Sequence, residues 1–276
     1  MATLKSIRNK IVDNRPAQAA LRKASRARVI PPRVYEKIPP LGSHPVITPE
    51  GNTIAYVADL SDMMARQVVW GNLQVWEATS LQIFSKLARS SVRFLDVGAY
   101  TGIYSLIACA DGPGEAIAFE PNPAVRPLLA RNIRANNFDH RVTVIPKAAS
   151  DTPGTATMTI PFDTTAARLD ASGTGPCVEV TTVDDVLAGR RVDIMKIDVE
   201  RLEPQVLKGA ANSLSQYHPA LIIECLDQES FVAVDELVRG FGYDNCQHLG
   251  QRGVASTTSF VEEPAFANFL WQTTHR

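Results

Sequence analysis

The segment Phe94-Leu95-Asp96-Val97-Gly98-Ala99-Tyr100-Thr101-Gly102 decides how the rest of this 276-residue chain is read. An apolar strand runs into a glycine turn, and a helical pattern from Ile103 to Ala110 follows at once. A second apolar strand, 115–120, closes on the acid Glu120. Strand, glycine turn and acid-tipped strand together make a nucleoside-binding arrangement. Glycine lets the backbone approach the ligand, and the acid takes the two ribose hydroxyls. Two glycines in a strand-to-helix turn also arise for conformational reasons alone, so the turn by itself leaves both readings open.

The glycine spacing narrows the ligand. Dinucleotide-binding folds use Gly-x-Gly-x-x-Gly, whose middle glycine lets a pyrophosphate lie against the helix N-terminus. Here Tyr100 stands between Gly98 and Gly102. A bulky side chain at that point argues against a pyrophosphate, and so against a nicotinamide dinucleotide. It suits the methionine part of S-adenosylmethionine.

Outward from this segment, strand-like and helix-like stretches alternate. Strands are expected at 92–97, 115–120, 142–146, 192–198, 220–225, 243–248 and 266–271, and helices at 101–110, 123–136, 204–215 and 229–239. Between residues 150 and 182 the rhythm breaks, and 156–161 with 177–182 read as a hairpin inserted at the sheet edge. The expectation is an α/β fold with a mostly parallel, seven-stranded sheet covered by helices on both faces.

Charge divides the chain unevenly. Ten Lys/Arg in residues 1–38 face only Asp13 and Glu36, so this segment carries about +8 and the remainder about −9, although the whole is −1. Residues 1–67 are read as an N-terminal extension that begins with this basic arm, and 68–276 as the domain that carries the alternating strands and helices. The extension is a solvated arm, a homodimer contact, or an attractor of anionic substrates. It lacks aromatic interleaving, so nucleic acid is not an expected partner. No apolar run approaches the roughly 18 residues of a membrane span, and no signal segment follows the basic start. The four cysteines show no framework spacing, and a cytoplasmic protein with free thiols is expected.

Three segments in order resemble the FkbM-type methyltransferases. They are Phe94–Leu106, Phe119-Glu-Pro-Asn-Pro123, and Met195-Lys-Ile-Asp-Val-Glu-Arg-Leu-Glu203 with Val206-Leu-Lys-Gly209. Weaker echoes are 147–151, the run ending at Asp185, and Trp70-Gly71 with Trp76-Glu77, so the likeness spans roughly residues 68 to 226. The resemblance implies a Rossmann-like class I methyltransferase using S-adenosylmethionine, acting mainly on hydroxyl groups of sugars and natural products. Two departures stand out: Tyr100 where the family usually has Asn, and Arg201 where it usually has Gly. A positive φ at 201 would make arginine there cost about 1 kcal/mol.

The site is expected beyond the carboxyl ends of the strands. Asp96, Gly98, Tyr100, Thr101 and Gly102 form the cofactor loop. Glu120 holds the ribose, Pro121 and Asn122 shape the adenine side, Ala148 leaves room for the base, and Asp151 accepts its amino hydrogens or simply makes a turn. For Asp96 a purely structural brace of the loop is the other reading. Asp198 and Glu200 end the fourth strand beside the methyl group and are the candidate catalytic bases. With Glu224 they are also the ligands of a Mg²⁺ if one is used, a reading ranked second. Glu203 reads as a helix cap. Arg201, Glu224 and Trp70 are assigned to the acceptor. The leading function is O-methylation of a small molecule or glycoside in natural-product biosynthesis. The alternatives are N- or C-methylation of an acidic or phosphorylated molecule, or a cofactor-binding module without turnover.

Overall fold

The computed structural model describes residues 14–27, 29–31, 34, 37–74, 76–160, 168–169, 175–263 and 267–274. Residues 1–13, the start of the basic extension, lie outside the described residues, as does Phe266 of the last expected strand. The first helix, α1 (Arg15–Arg26), starts at Asn14, whose side chain accepts the Ala17 N–H, with proline in its first turn. An antiparallel hairpin follows, β1 (Gly42–Ile47) and β2 (Thr53–Ala58). Helices α2 (Ala65–Gly71) and α3 (Ala78–Ala88) lead into the central strand β3 (Arg93–Val97). Alternation then sets in with α4 (Ile103–Asp111), β4 (Glu115–Phe119), α5 (Arg126–Ala135) and β5 (Val142–Ile145).

The expected inserted hairpin is part of a separate small sheet. Strands β6 (Ala148–Ala149), β7 (Gly154–Thr159), β8 (Arg168–Leu169) and β9 (Cys177–Thr181) are arranged β6-β9-β7-β8, with β7 antiparallel to β9. Past α6 (Val183–Leu187) comes β10 (Ile194–Ile197). The single helix expected over 204–215 is two, α7 (Glu203–Lys208) and α8 (Ala211–Tyr217). The break has a local cause. The Gly209 carbonyl accepts the Asp184 N–H, and the Asp184 carboxylate caps the new helix by accepting the N–H groups of Asn212 and Ser213. The chain ends with β11 (Ala220–Glu224), α9 (Gln228–Gly240), β12 (Asn245–Gly250), β13 (Gly253–Ser256) and β14 (Asn268–Gln272).

The main sheet corrects the seven-stranded expectation. It has eight strands in the order β13-β12-β14-β11-β10-β3-β4-β5 and is mixed. Strands β5, β4, β3, β10 and β11 are mutually parallel, whereas β14 runs antiparallel to both β11 and β12, and β13 antiparallel to β12. The eighth strand, β13, returns from β12 through a two-residue turn at Gln251-Arg252, a local hairpin that strand–helix alternation does not reveal. The direction of winding reverses between β3 and β10, which places a crevice at the carboxyl ends of those two strands.

Each strand alternates between two cores. Phe94, Ile194 and Ile222 face one core, built with α2 to α5, while Leu95, Met195 and Leu221 face the other, under α6 to α9. Leu21, Val46, Ile54 and Tyr56 join the first core with Phe84 and Phe94, so described residues upstream of 68 share the sheet's packing, and residue 67 falls inside α2. Asn132 of α5 and Asn136, the residue that ends it, fasten β2 by accepting the Val57 and Ala55 N–H groups, each at 2.7 Å. Among the described residues, no helix is long and apolar enough to cross a membrane.

Candidate active site

Two adjoining hollows open at the crevice, of about 600 and 810 Å³, and share Gly98, Tyr100, Asp198 and Glu200. The first lies over β4 and the small sheet, with Glu120, Pro121, Asn122, Ala148, Met158 and Leu169 in its wall. The second lies over β10 and β11 on the face of the first core, with Glu77, Asp96, Tyr104, Lys196 and Glu224.

The glycine loop gets its shape from positive backbone angles. Gly98, Tyr100 and Gly102 have φ of 89°, 49° and 88°. At Gly98 a Cβ would overlap the Asp198 carbonyl oxygen, so glycine is what allows β3 and β10 to close the crevice floor. Asparagine tolerates a left-handed residue better than tyrosine does, which gives the Tyr100 departure a physical cost. Part of that cost is offset because the Tyr100 hydroxyl accepts the Met63 N–H at 3.2 Å. Thr101 reaches the other way, its hydroxyl 2.7 Å from that of Tyr56, so β2 and the segment after it are each tied to the loop.

Glu120 stands at the tip of β4 with 5% of its surface exposed. One carboxylate oxygen accepts the Tyr100 N–H and the other the Asn122 N–H, both at 2.8 Å. Burial pushes its carboxyl up to about 7, against the lowering effect of those two bonds. Asn122 beside it is buried, and its Nδ2 has no partner, a donor left over in the wall of the first hollow. Asp96 is committed to the helix above: its Oδ2 accepts both the N–H and the hydroxyl of Ser105, at 3.1 and 2.6 Å. Burial raises its carboxyl to about 6.

The second hollow holds a compact charge cluster. Lys196 pairs with Asp198, Nζ to Oδ2, at 3.1 Å. Glu77 accepts the Tyr104 hydroxyl at 2.6 Å, and burial raises its carboxyl above the ordinary value. Glu224 is raised well above its ordinary range by the neighbouring Asp198 carboxylate, with burial adding to the effect. Burial opposes the charge on Lys196, yet Asp198, Glu77 and Glu224 outweigh it and hold the ammonium above its usual pKa.

Several residues assigned from sequence lie elsewhere. Trp70 is 1% exposed and packed in the first core; its indole N–H donates to the Ile38 carbonyl at 2.7 Å, and it lines neither hollow. Arg201 has the positive φ anticipated for that position, 78°, but its guanidinium turns outward to an ion pair with Asp227. Asp151 is exposed at a turn and lines neither hollow, and Gly102 serves as the residue before α4. Glu203 accepts the Val199 and Arg201 N–H groups at 3.2 Å, the bracing expected of a cap. Pro121, Asn122 and Ala148 line the first hollow, Thr101, Asp96 and Glu224 the second, and Glu200 both. Sequence reasoning gave no role to Glu77 or Lys196. The signal for Lys196 was there, a lysine inside the apolar strand Ile194–Ile197, since such a residue is buried only with a partner.

Strand order, glycine loop and acid-tipped β4 define a Rossmann-like protein with a nucleoside-sized crevice at its switch point. Residues 96–244, more than half of the chain, match the Methyltransferase FkbM domain, and the chain belongs to that family. Among solved structures it is similar to the FkbM methyltransferase of Methylobacillus flagellatus at 18% identity and a TM-score of 0.49, covering 79% of this chain and 56% of that one. It thus spans little more than half the length of that relative. Fibrillarin of Aeropyrum pernix, with natively bound S-adenosylmethionine, is 13% identical with a TM-score of 0.43, covering 67% and 68% of the two chains. An O-methyltransferase of Bacillus cereus in complex with SAH is 12% identical with a TM-score of 0.40, covering 72% and 80%. No curated protein matches the chain.

Proposed function

We propose that the chain is an S-adenosylmethionine-dependent methyltransferase acting in the cytoplasm on a hydroxyl of a small molecule or glycoside in natural-product biosynthesis. One observation carries the reading: a hollow walled by Glu120, Asn122 and Ala148 and a carboxylate-lined hollow meet at Gly98, Tyr100 and Asp198. Donor and acceptor bound in the two halves would face each other across that junction.

The residues of the first hollow fit the cofactor. The unpartnered Asn122 Nδ2 is a buried donor in want of an acceptor, Glu120 offers a braced carboxylate to the ribose hydroxyls, and Ala148, Met158 and Leu169 give an apolar wall for the base. S-adenosylmethionine, when bound, supplies a sulfonium methyl group for in-line displacement. The protein's part is to orient the acceptor and take its proton. Asp198, held by Lys196 at the junction, receives the acceptor hydroxyl and accepts its proton as the methyl group moves.

The lining favours a neutral hydroxyl over an acidic or phosphorylated acceptor. Lys196 is the one cation among the described residues around the second hollow and already has Asp198 as partner, against Glu77, Asp96, Glu200 and Glu224 as well. Isothermal titration with S-adenosylmethionine and S-adenosylhomocysteine tests the donor half, and absence of binding to both overturns the reading. Asp198→Asn is expected to keep cofactor affinity and lose methyl transfer by about 10²-fold or more.

A further inference from the structure

We infer that Glu77, Asp198 and Glu224 form a binding site for a divalent cation of the magnesium or manganese class at the floor of the second hollow. One carboxylate oxygen from each lies within 4.8 Å of the other two, a spread that suits three positions around one hard ion. The three side chains arrive from separate elements: the residue before α3, the end of β10 and the end of β11. The set is oxygen only, without thiolate or imidazole, which points to magnesium, manganese or calcium rather than zinc or copper.

Charge balance agrees. The Asp198 and Glu224 carboxyl groups face each other within hydrogen-bonding range, where their repulsion is relieved by a proton on Glu224 or by a cation between them. Lys196 supplies a single charge, held at Asp198 Oδ2. With all three acids ionised, the single ammonium leaves a deficit of two, which one divalent ion removes by taking the place of the proton that Glu224 otherwise holds.

An independent observation comes from β14. Asn268 is fully buried and sits opposite Glu224 in the strand register. Its carboxamide lies close enough to Glu77 to help stabilise that carboxylate, yet neither Oδ1 nor Nδ2 has a partner within 3.5 Å. A buried carboxamide short of close partners is costly, and native proteins rarely leave one so. Water molecules carried by a hydrated ion at the three carboxylates supply what it lacks. Magnesium in particular keeps several of its waters, and the adjoining 810 Å³ hollow has room for them.

This site extends the sequence-based set in one respect: Glu77 takes the place given to Glu200. Its use in catalysis rests on the methyl-transfer reading above, where the ion would acidify the acceptor hydroxyl presented to Asp198. Binding of the ion does not rest on it, and the two are tested separately.

The experiment titrates the full chain, stripped with chelator, with MnCl₂ followed by electron paramagnetic resonance and with MgCl₂ by calorimetry, each with and without S-adenosylmethionine. One ion per chain is expected, and Glu77→Gln and Glu224→Gln should each weaken it by about tenfold or more. No binding up to about 10 mM, beyond the weakest class of protein sites, overturns the proposal, as does wild-type affinity in both folded variants. Should a variant not fold, wild-type crystals soaked in MnCl₂ decide: an anomalous peak among the three carboxylates supports the site, and its absence there refutes it. Cofactor binding without ion binding leaves methyl transfer standing and removes the ion; the reverse result does the opposite.

Discussion

Lys196 of β10 and Asp198, the residue just past that strand, meet at 3.1 Å, with the lysine 2% exposed. Alternation along the strand puts both on the face that carries Asp96, the register partner of Lys196 on β3. The ammonium also lies 5.5 Å from the centre of the Tyr104 ring, whose hydroxyl donates to Glu77. One cation thus serves several acids. Lys196→Met should leave them uncompensated and cost about 3–5 kcal/mol in metal-free buffer, since removing one partner of a buried pair strands the other. Urea unfolding measures this. Adding Glu77→Gln to that variant should return about 1 kcal/mol as a coupling term in a double-mutant cycle. Strict additivity would mean that the two residues do not interact.

Glu120 makes cofactor affinity depend on pH. Its carboxyl is raised to about 7 in the folded protein, so it is largely protonated at pH 6 and largely ionised at pH 8. The ionised form accepts hydrogen bonds with all of its remaining lone pairs, and S-adenosylmethionine affinity should therefore rise across this interval and level off above it. For the cofactor-free protein the sign is opposite. The folded state keeps a proton that the unfolded chain has released, so Glu120 takes away stability as pH climbs from the ordinary carboxylate range through about 7. Glu120→Gln replaces one acceptor with an amide that meets the N–H of Tyr100 or Asn122 head-on. It should weaken the cofactor by about 10- to 100-fold, as loss of charge-assisted bonds does, and flatten the pH dependence. A variant that binds as tightly as the wild type at pH 8 would remove Glu120 from the ribose.

Gly98 and Gly189 both hold positive φ, 89° and 76°, but differ in what surrounds them. A methyl group on Gly98 meets the Asp198 backbone, while one on Gly189 meets open space. Gly189→Ala should cost about 1 kcal/mol, the backbone term alone. Gly98→Ala adds the forced separation of β3 from β10 and should cost about 3 kcal/mol or more, with cofactor binding lost in whatever remains folded. Equal losses, read from thermal or urea midpoints, would show that closure of the crevice does not depend on that glycine.

The parallel core of the fold was legible because its strands are short apolar runs bounded by turns, and all but β5 are followed by a helical period. The loop and Glu120 were legible for the same reason: their chemistry sits in consecutive residues. What escaped depends on contacts distant in sequence. Strands β1 and β2 are secured by Asn132 and Asn136, far along the chain, and no local pattern announces such anchors. Glu77 reaches the cluster only because the chain takes a left-handed residue, φ 46°, just before α3. Arg201 misled in the other direction. Its departure from glycine suggested an acceptor contact, yet the unusual φ is met by local bracing from Glu203, and the side chain goes to Asp227.

Trp70 separates packing from recognition. Sequence reasoning gave it to the acceptor, and the fold puts it under α1, where its carbonyl accepts the Ser25 hydroxyl, its indole N–H donates to Ile38, and its ring stacks edge-on against His44 at 5.7 Å. Trp70→Phe removes the indole donor, leaves the Ile38 carbonyl buried without it, and opens a small void. The two effects together should cost about 2–3 kcal/mol. Neither reaches the crevice, so S-adenosylmethionine affinity measured well below the melting temperature should match the wild type. A variant that melts normally but binds cofactor or acceptor poorly would return Trp70 to the site. A lowered melting temperature with intact binding would fix it as the support on which α1 and the hairpin β1–β2 rest.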